Sequence, residues 1–161
     1  MAGTLSTRAL LKCFARSNMP NVAYNPHGLQ NIGFTWSLLP GLRDLYPDDG
    51  AFLAGCRRYA VYHNCHTFWG PFLTGAFLHT EAQVAAGRLD PALLQPLKET
   101  TLNSLSAIGD SFFSGSMDIA CFLLLICLMM QGYLAVAAGF MLFWLILAVI
   151  MKGLTFYIGL S

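Results

Sequence analysis

The sequence contains few charged residues. Only 11% of its 161 residues are Asp, Glu, Lys or Arg, while 56% are hydrophobic, and an ordinary soluble domain carries about a quarter charged residues. The shortage is concentrated, because no Asp, Glu, Lys, Arg or His occurs between Ile119 and Met151. A soluble domain of this size could not bury so much apolar surface, so the sequence predicts an integral membrane protein.

Several functional signatures are lacking as well. The net charge is +1 and the basic residues are scattered, which argues against nucleic acid as a partner. Five cysteines, two of them (Cys121 and Cys127) inside the apolar run, argue against a disulfide framework. No Gly-rich phosphate loop, GxSxG elbow or kinase signature is present. We therefore expect no cofactor and no independent enzymatic activity.

The N-terminal segment has the pattern of an amphipathic helix. Apolar residues from Leu5 to Phe14 recur at helical spacing, while Arg8, Lys12 and Arg16 take other positions. Such a helix either lies in the membrane interface with its basic residues near anionic lipid, or packs on protein. No acidic residue precedes Asp44, so the positive-inside rule predicts a cytoplasmic N-terminus.

The middle of the chain reads as a series of short helices. A helix is predicted from Ile32 to Tyr46, kinked or ended at Pro40-Gly41. A second should run from about Gly50 to His63, with Asp48 or Asp49 as its N-cap. The apolar stretch Thr67 to Leu78 is too short to cross a bilayer, which suggests a buried or re-entrant piece. The stretch from Glu81 to Glu99 is the most water-compatible part of the second half, and we expect a cytoplasmic connection there.

The charge-free run is too long for one straight membrane helix. Its 33 residues would reach roughly 50 Å as a helix, against a hydrocarbon core of roughly 30 Å. We expect a break at Gln131-Gly132 and a spanning helix from about Tyr133 to Met151, in a re-entrant hairpin or in two crossings. Gly109 and Gly115 should break the preceding segment. The fold class is therefore an all-α polytopic membrane protein with an amphipathic N-terminal helix, broken or re-entrant helices and a C-terminal membrane helix or hairpin.

Two groups of polar residues could carry function. Asp110 lies next to the apolar membrane run, where an ionised carboxylate needs hydrogen-bond partners. It either accepts hydrogen bonds from substrate hydroxyls or exchanges a proton, or it caps a turn at Gly109. Asn25 and Gln30 could pair with vicinal hydroxyls of a sugar, although a role of such amides in turns and caps is the simpler interpretation.

The histidines offer little support for a metal site. His63 and His66 could share a helical face, but no CxxC or HExxH pattern supplies the remaining ligands. We expect hydrogen bonding in a polar pocket, or a structural role, for this pair.

In order and spacing, these segments resemble one family, the IID membrane subunit of the mannose/fructose/sorbose class of bacterial phosphotransferase systems. The matching stretches are Arg16-Ser17, Asn25 with Gln30, Gly33-Phe34, Leu38-Leu39-Pro40-Gly41-Leu42, Leu45-Tyr46, Asn64 with His66, and Ala107-Ile108-Gly109-Asp110-Ser111. They extend over roughly residues 5 to 160. His27, Gly28, Thr67 and Asp118 stand where relatives usually carry other residues, and relatives usually continue well beyond Ser161.

The resemblance implies a subunit that binds and translocates a hexose-type sugar together with a IIC membrane subunit, while IIB and IIA proteins carry the phosphoryl group. Asn64, His66 and Asp110 would line the sugar pocket, with Asn25 and Gln30 behind them. The alternative is a non-transporting interaction or regulatory module in membranes.

The resemblance also divides the chain. We expect an amphipathic helix in residues 1–21, a core with the pocket in 22–117 and apolar membrane segments in 118–161, the family's C-terminal portion being absent from this chain. A second IID fragment and membrane lipid are further expected partners, and the bacterial inner membrane is the expected location, crossed more than once.

Overall fold

The structure, a computed structural model, describes residues 4–161, and helices joined by short turns and loops make up most of this range. Residues 1–3 of the expected N-terminal segment 1–21 lie outside the described residues. The helices are α1 (Thr7–Ser17), α2 (Asn31–Leu45), α3 (Asp49–Tyr59), α4 (Gly70–Ala85), α5 (Leu94–Ile108), a π-helical segment (Gly109–Met117), α6 (Asp118–Met130) and α7 (Leu134–Gly159). Short 3-10 turns cover Pro20–Ala23, Thr67–Trp69 and Pro91–Leu93. The expected all-α class is confirmed.

Helix α1 is the predicted amphipathic helix, and its apolar face packs on protein. The Ser6 hydroxyl caps it by accepting from the Ala9 amide at 3.2 Å, and Ser6 donates its own amide and hydroxyl to Asp44 at 2.9 and 2.6 Å. Ala9 and Cys13 are buried against the bundle, whereas Leu11 remains 64% exposed. One face of α1 is therefore structural, and another remains on the surface.

Helix α2 supplies the centre of the core and continues through Pro40, so the expectation that the helix ends there is wrong. A proline at this position leaves the carbonyl of Trp36, four residues earlier, without its helical donor. The Arg16 side chain of α1 replaces that donor, because its Nη1 lies 3.2 Å from the Trp36 oxygen. The guanidinium also lies 4.7 Å from the Trp36 ring centroid. A side chain from α1 thus supplies the hydrogen bond that Pro40 removes from α2.

The core packs α2 against α4 and the end of α3. Buried apolar residues form it, among them Phe34, Leu38, Leu42, Tyr59, Leu73 and Phe77. Within α4, Glu81 is fully buried, so the expected water-compatible connection does not begin there. Its carboxylate receives Arg58 through two hydrogen bonds of 2.7 and 2.9 Å and the Tyr46 hydroxyl at 2.6 Å. A bidentate guanidinium satisfies the carboxylate in a dry site.

The C-terminal part is a membrane hairpin. One helix is continuous from Pro91 to Met130, and α7 follows it; both are long and apolar enough to cross a membrane. The predicted break at Gln131-Gly132 is confirmed, with Gly132 at a φ of +81°. The expected breaks at Gly109 and Gly115 are wrong, because the backbone continues there as a π-helix. The spanning helix is also longer than expected, since it passes Met151 and ends at Gly159.

The end of α7 joins the hairpin to the bundle through glycines. A side chain on Gly75 of α4 would collide with the Phe156 carbonyl, and one on Gly159 would collide with the Phe72 carbonyl. Such small residues let two backbones approach closely, as is common between membrane helices. The hairpin is thereby fixed to α4 at one end, while α6 carries no buried residue and faces outward.

Candidate functional site

A polar groove runs along one face of α5 and is closed on its other side by the segment that follows α3. Its volume is about 600 Å³, within the usual range for small-molecule sites. The lining residues are Val61, Tyr62, Asn64, Gln95, Glu99, Leu102, Asn103, Ser106, Ala107 and Asp110. Two of the predicted site residues, Asn64 and Asp110, therefore face the same space.

The carboxylate of Asp110 is available for further hydrogen bonds. Within the described chain it accepts one side-chain hydrogen bond, from the Ser106 hydroxyl at 3.4 Å. Asp110 is exposed and lies in the first turn of the π-helical segment. The expected alternative, that Asp110 caps a helix ending at Gly109, does not apply, because the backbone continues there as a π-helix. Asn64 faces it from the opposite wall, and its side-chain amide has no hydrogen bond within the described residues.

Lys98 of α5 links the two walls of the groove, because it binds the segment that follows α3. It is fully buried, and its ammonium donates to the backbone carbonyls of Tyr59 and Val61, each at 3.4 Å. These carbonyls belong to the segment that leads to Asn64. A buried ammonium needs such acceptors because losing water is costly for a charge. The spacing between Asn64 and α5 thus depends on Lys98.

His63 lies behind the groove as a neutral, structural side chain. Its ring stacks on Phe34 with centroids 3.8 Å apart, and it is 1% exposed. Burial, with the nearby Lys98 charge, lowers the pKa of His63 from 6.5 to about 3. Helix α3 ends at Tyr59, so His63 and His66 do not share a helical face. Residues 4–161 contain no group of three or more His, Cys, Asp or Glu side chains placed to hold a metal ion.

His66 does not line the groove and instead contacts the π-helical segment. Its Nδ1 accepts from the Phe68 amide at 3.3 Å, which leaves Nε2 as the N–H that donates to Ser114 Oγ at 2.9 Å. The ring also stacks on Phe113. This approach requires Gly109, because a Cβ there would collide with the Cβ of His66. His66 fastens its loop to the π-helical segment.

Asn25 and Gln30 are engaged in holding the loop before α2. Gln30 is buried, donates to Asn21 at 2.9 Å and accepts from the Cys65 amide at 3.0 Å. Asn25 accepts from the amides of His27 and Gly28 at 3.1 and 2.9 Å, as expected of a turn residue. The structure does not bring either side chain into the groove.

Sequence reasoning overlooked most of the polar groove wall. Residues Gln95, Glu99, Asn103, Ser106 and Asp110 recur at intervals of three and four, which places them on one helical face. This periodicity could have been read from the sequence if Thr100 to Met117 had been treated as a continuation of the preceding helix. The expected breaks at Gly109 and Gly115 concealed it.

Comparison with known proteins places these features in one group. A family model described as "PTS system mannose/fructose/sorbose family IID component" matches residues 4–161. The mannose-specific EIID component of Escherichia coli K12 is 30% identical over 105 residues, which are 64% of this chain and 37% of that protein. The sorbose-specific EIID component of Klebsiella pneumoniae is 24% identical over 109 residues, 67% of this chain and 40% of that protein. The matched region is thus well under half of these relatives.

Two solved structures share the fold. A cryoEM structure of the mannose transporter ManYZ with microcin E492 contains a chain that superposes with a TM-score of 0.90 at 25% identity, covering 99% of this chain and 59% of that one. A second, described as a membrane protein, gives a TM-score of 0.85 at 26% identity, over 98% of this chain and 59% of that one. The similarity includes both the bundle and the hairpin.

Proposed function

Because the chain belongs to the mannose/fructose/sorbose family of phosphotransferase-system IID components, we propose that it is a membrane subunit of a sugar uptake complex. In this proposal it binds a hexose-type sugar and moves it across the bacterial inner membrane together with a IIC subunit. The IIB and IIA proteins carry the phosphoryl group, so the chain performs no phosphoryl transfer itself. Its N-terminus faces the cytoplasm.

The observation that carries this proposal is the groove shared by Asn64 and Asp110. A carboxylate accepts hydrogen bonds from two neighbouring hydroxyls, and an amide both donates and accepts, which matches the hydroxyl pairs of a sugar. Tyr62 and Leu102 add apolar and aromatic surface on which a sugar ring can pack. The groove therefore combines the two kinds of contact that sugar binding requires.

The position of the groove supports a role in transport. Its α5 wall belongs to the same continuous helix that forms α6 of the membrane hairpin. Asp110, at the membrane end of the groove, is eight residues before Asp118, the last charge before the apolar run. In this proposal the site lies beside the membrane and is completed by the IIC partner.

The decisive experiment replaces Asp110 by Asn, which keeps the shape of the side chain and removes its charge. Losing a hydrogen bond to a charged group costs about 1.5–3 kcal/mol, so we expect a 10- to 150-fold rise in the KM for sugar uptake, measured in cells expressing the whole phosphotransferase complex. Membrane insertion and co-purification with the IIC subunit should be unchanged.

Asp118→Asn is the matched control, because it makes the same chemical change outside the groove. Uptake should remain near wild type in this variant. If Asp110→Asn assembles normally and transports sugar with unchanged KM, the sugar site is refuted, and a non-transporting regulatory module becomes the better interpretation. Equal loss in both variants would instead indicate a general effect of charge near the membrane.

A further inference from the structure

The polar groove has two walls that run side by side for the same length. One wall is α5, and the other is the non-helical segment from Val61 to His66. The ammonium of Lys98 lies 3.4 Å from the Val61 carbonyl, and a Cβ on Gly109 would collide with the Cβ of His66. Between these two contacts the helix rises about 16 Å, and an extended chain from Val61 to His66 covers at most about 18 Å. The groove is therefore elongated.

This length exceeds that of one hexose. A six-membered ring built from bonds of about 1.5 Å is about 6 Å across with its hydroxyl oxygens and occupies roughly 200 Å³ or less. One such ring would fill about a third of the groove, whose volume is about 600 Å³. Two rings joined in a line match the length of the walls.

Hydrogen-bonding side chains occur in both halves of the groove. Asp110 and Asn64 line the half next to the π-helical segment, and Gln95, Glu99 and Asn103 line the half that begins at the other end of α5. Gln95 donates to one carboxylate oxygen of Glu99 at 2.8 Å. The other Glu99 oxygen and the Asn103 amide have no hydrogen bond within residues 4–161. Each half thus offers a carboxylate and an amide, which together match the hydroxyl pairs of a sugar.

The charges of the groove favour a neutral ligand. Glu99 and Asp110 line it, and none of the lining side chains that the structure describes is Lys, Arg or His. Lys98 does not offset the two carboxylates in the groove, because its ammonium is buried and donates to the carbonyls of Tyr59 and Val61. A sugar acid or a sugar phosphate would bring a like charge against the carboxylates, which is unfavourable.

We propose that the groove binds a neutral, linear disaccharide of two hexose units, an inference that rests on the sugar-binding function proposed above. One ring is held by Asp110 and Asn64. The second ring is held by Glu99 and Asn103 and packs on Tyr62, which is 59% exposed. A single hexose occupies the first position alone and binds more weakly than the disaccharide.

The test measures equilibrium binding by isothermal titration calorimetry. The whole chain is purified in detergent together with its IIC subunit. The probes are mannose, glucose and galactose, and the β-1,4-linked disaccharide of each. One additional hydrogen bond to a charged group changes an affinity by about tenfold. We therefore expect at least one disaccharide to bind about tenfold more tightly than its own hexose.

The second ring position is tested by Glu99→Gln, which removes the charge and keeps the shape of an exposed side chain. This variant should lose about tenfold in affinity for the disaccharide and bind the hexose as wild type does. Asp118→Asn is the matched control, because it makes the same kind of change outside the groove. It should alter neither affinity.

The outcomes separate this inference from the proposed function. If Asp110→Asn weakens hexose binding while no disaccharide binds more tightly than its hexose, the groove holds one ring and the disaccharide site is overturned. Equal losses of hexose and disaccharide affinity in Glu99→Gln also overturn it. If wild type binds none of the probes, or if Asp110→Asn binds all of them as wild type does, the sugar-binding function itself fails.

Discussion

The contact between Arg16 and Trp36 should be coupled energetically to Pro40. Proline removes the amide that would donate to the Trp36 carbonyl, and its ring pushes that carbonyl outward from the helix. Arg16 Nη1 occupies the position of the missing donor at 3.2 Å. Arg16→Met keeps much of the aliphatic packing of the side chain and removes this donor. The carbonyl is then left without a protein partner in a half-buried position.

The structure sets the expected size of this effect. A hydrogen bond from a charged donor contributes about 1.5–3 kcal/mol, and half-burial favours the lower end of this range. The ring contact at 4.7 Å adds about 0.5–1 kcal/mol. Arg16→Met should therefore lower the free energy of unfolding by about 2–3 kcal/mol. For a chain of this length that corresponds to roughly 4–12 °C in Tm.

The same substitution should be milder in a Pro40→Ala background. Alanine at this position restores the helical amide, so the Trp36 carbonyl keeps a donor and only the ring contact is lost. We expect Arg16→Met to cost about 1 kcal/mol or less in that background, which gives a coupling of about 1.5 kcal/mol in a double-mutant cycle. Circular dichroism during thermal unfolding in detergent measures all four proteins. If Arg16→Met lowers the free energy of unfolding equally in both backgrounds, Arg16 does not replace the amide that Pro40 lacks.

Two further predictions concern the residues around the groove. Unfolded His63 takes up a proton below its usual pKa of 6.5, whereas burial lowers the pKa of folded His63 to about 3, so stability should fall by about 2 kcal/mol between pH 7 and pH 5. His63→Phe keeps the stack on Phe34 and should unfold with a flatter pH dependence; an unchanged slope would contradict the buried neutral ring. Gly109→Ala should displace His66 from Ser114, destabilise the chain by about 1–3 kcal/mol and raise the modification of His66 by diethyl pyrocarbonate. Gly139→Ala is its control, because a Cβ there meets nothing within 4 Å, and equal effects in both variants would refute the steric argument.

Features that depend on local sequence were predicted well. The amphipathic period of α1, the turn at Gln131-Gly132 and the N-cap Asp48, which accepts from the Ala51 amide at 2.8 Å, are each set by neighbouring residues. Charge depletion predicted C-terminal membrane segments for the same reason, since a continuous apolar run needs no tertiary information to be recognised. These predictions are confirmed by the helices that the structure describes.

Features that depend on distant partners were not predicted. Pro40 predicts a kink or an end of the helix, and the sequence does not reveal that Arg16 replaces the missing donor. Glu81 looks like a surface residue unless Arg58 is known to reach it. Gln30 has a side chain of the kind that can bind sugar hydroxyls. Only the fold reveals that its amide donates to Asn21 and accepts from the Cys65 amide. In each case a side chain or backbone group more than eight residues away decides the outcome.

The π-helical segment explains why the groove ends at Asp110. In a π-helix each backbone bond reaches one residue further than in an α-helix, so the face that follows is rotated relative to the face before it. Before this segment, every third or fourth residue of α5 lines the polar groove. Within it, Phe113 and Met117 instead form an apolar pocket with Phe68 and Trp144. A straight α-helix would continue the polar stripe of α5 toward the membrane. The π-helical turns rotate the following residues away from the groove. The carboxylate of Asp110 is therefore the last polar group of this helix that lines the groove.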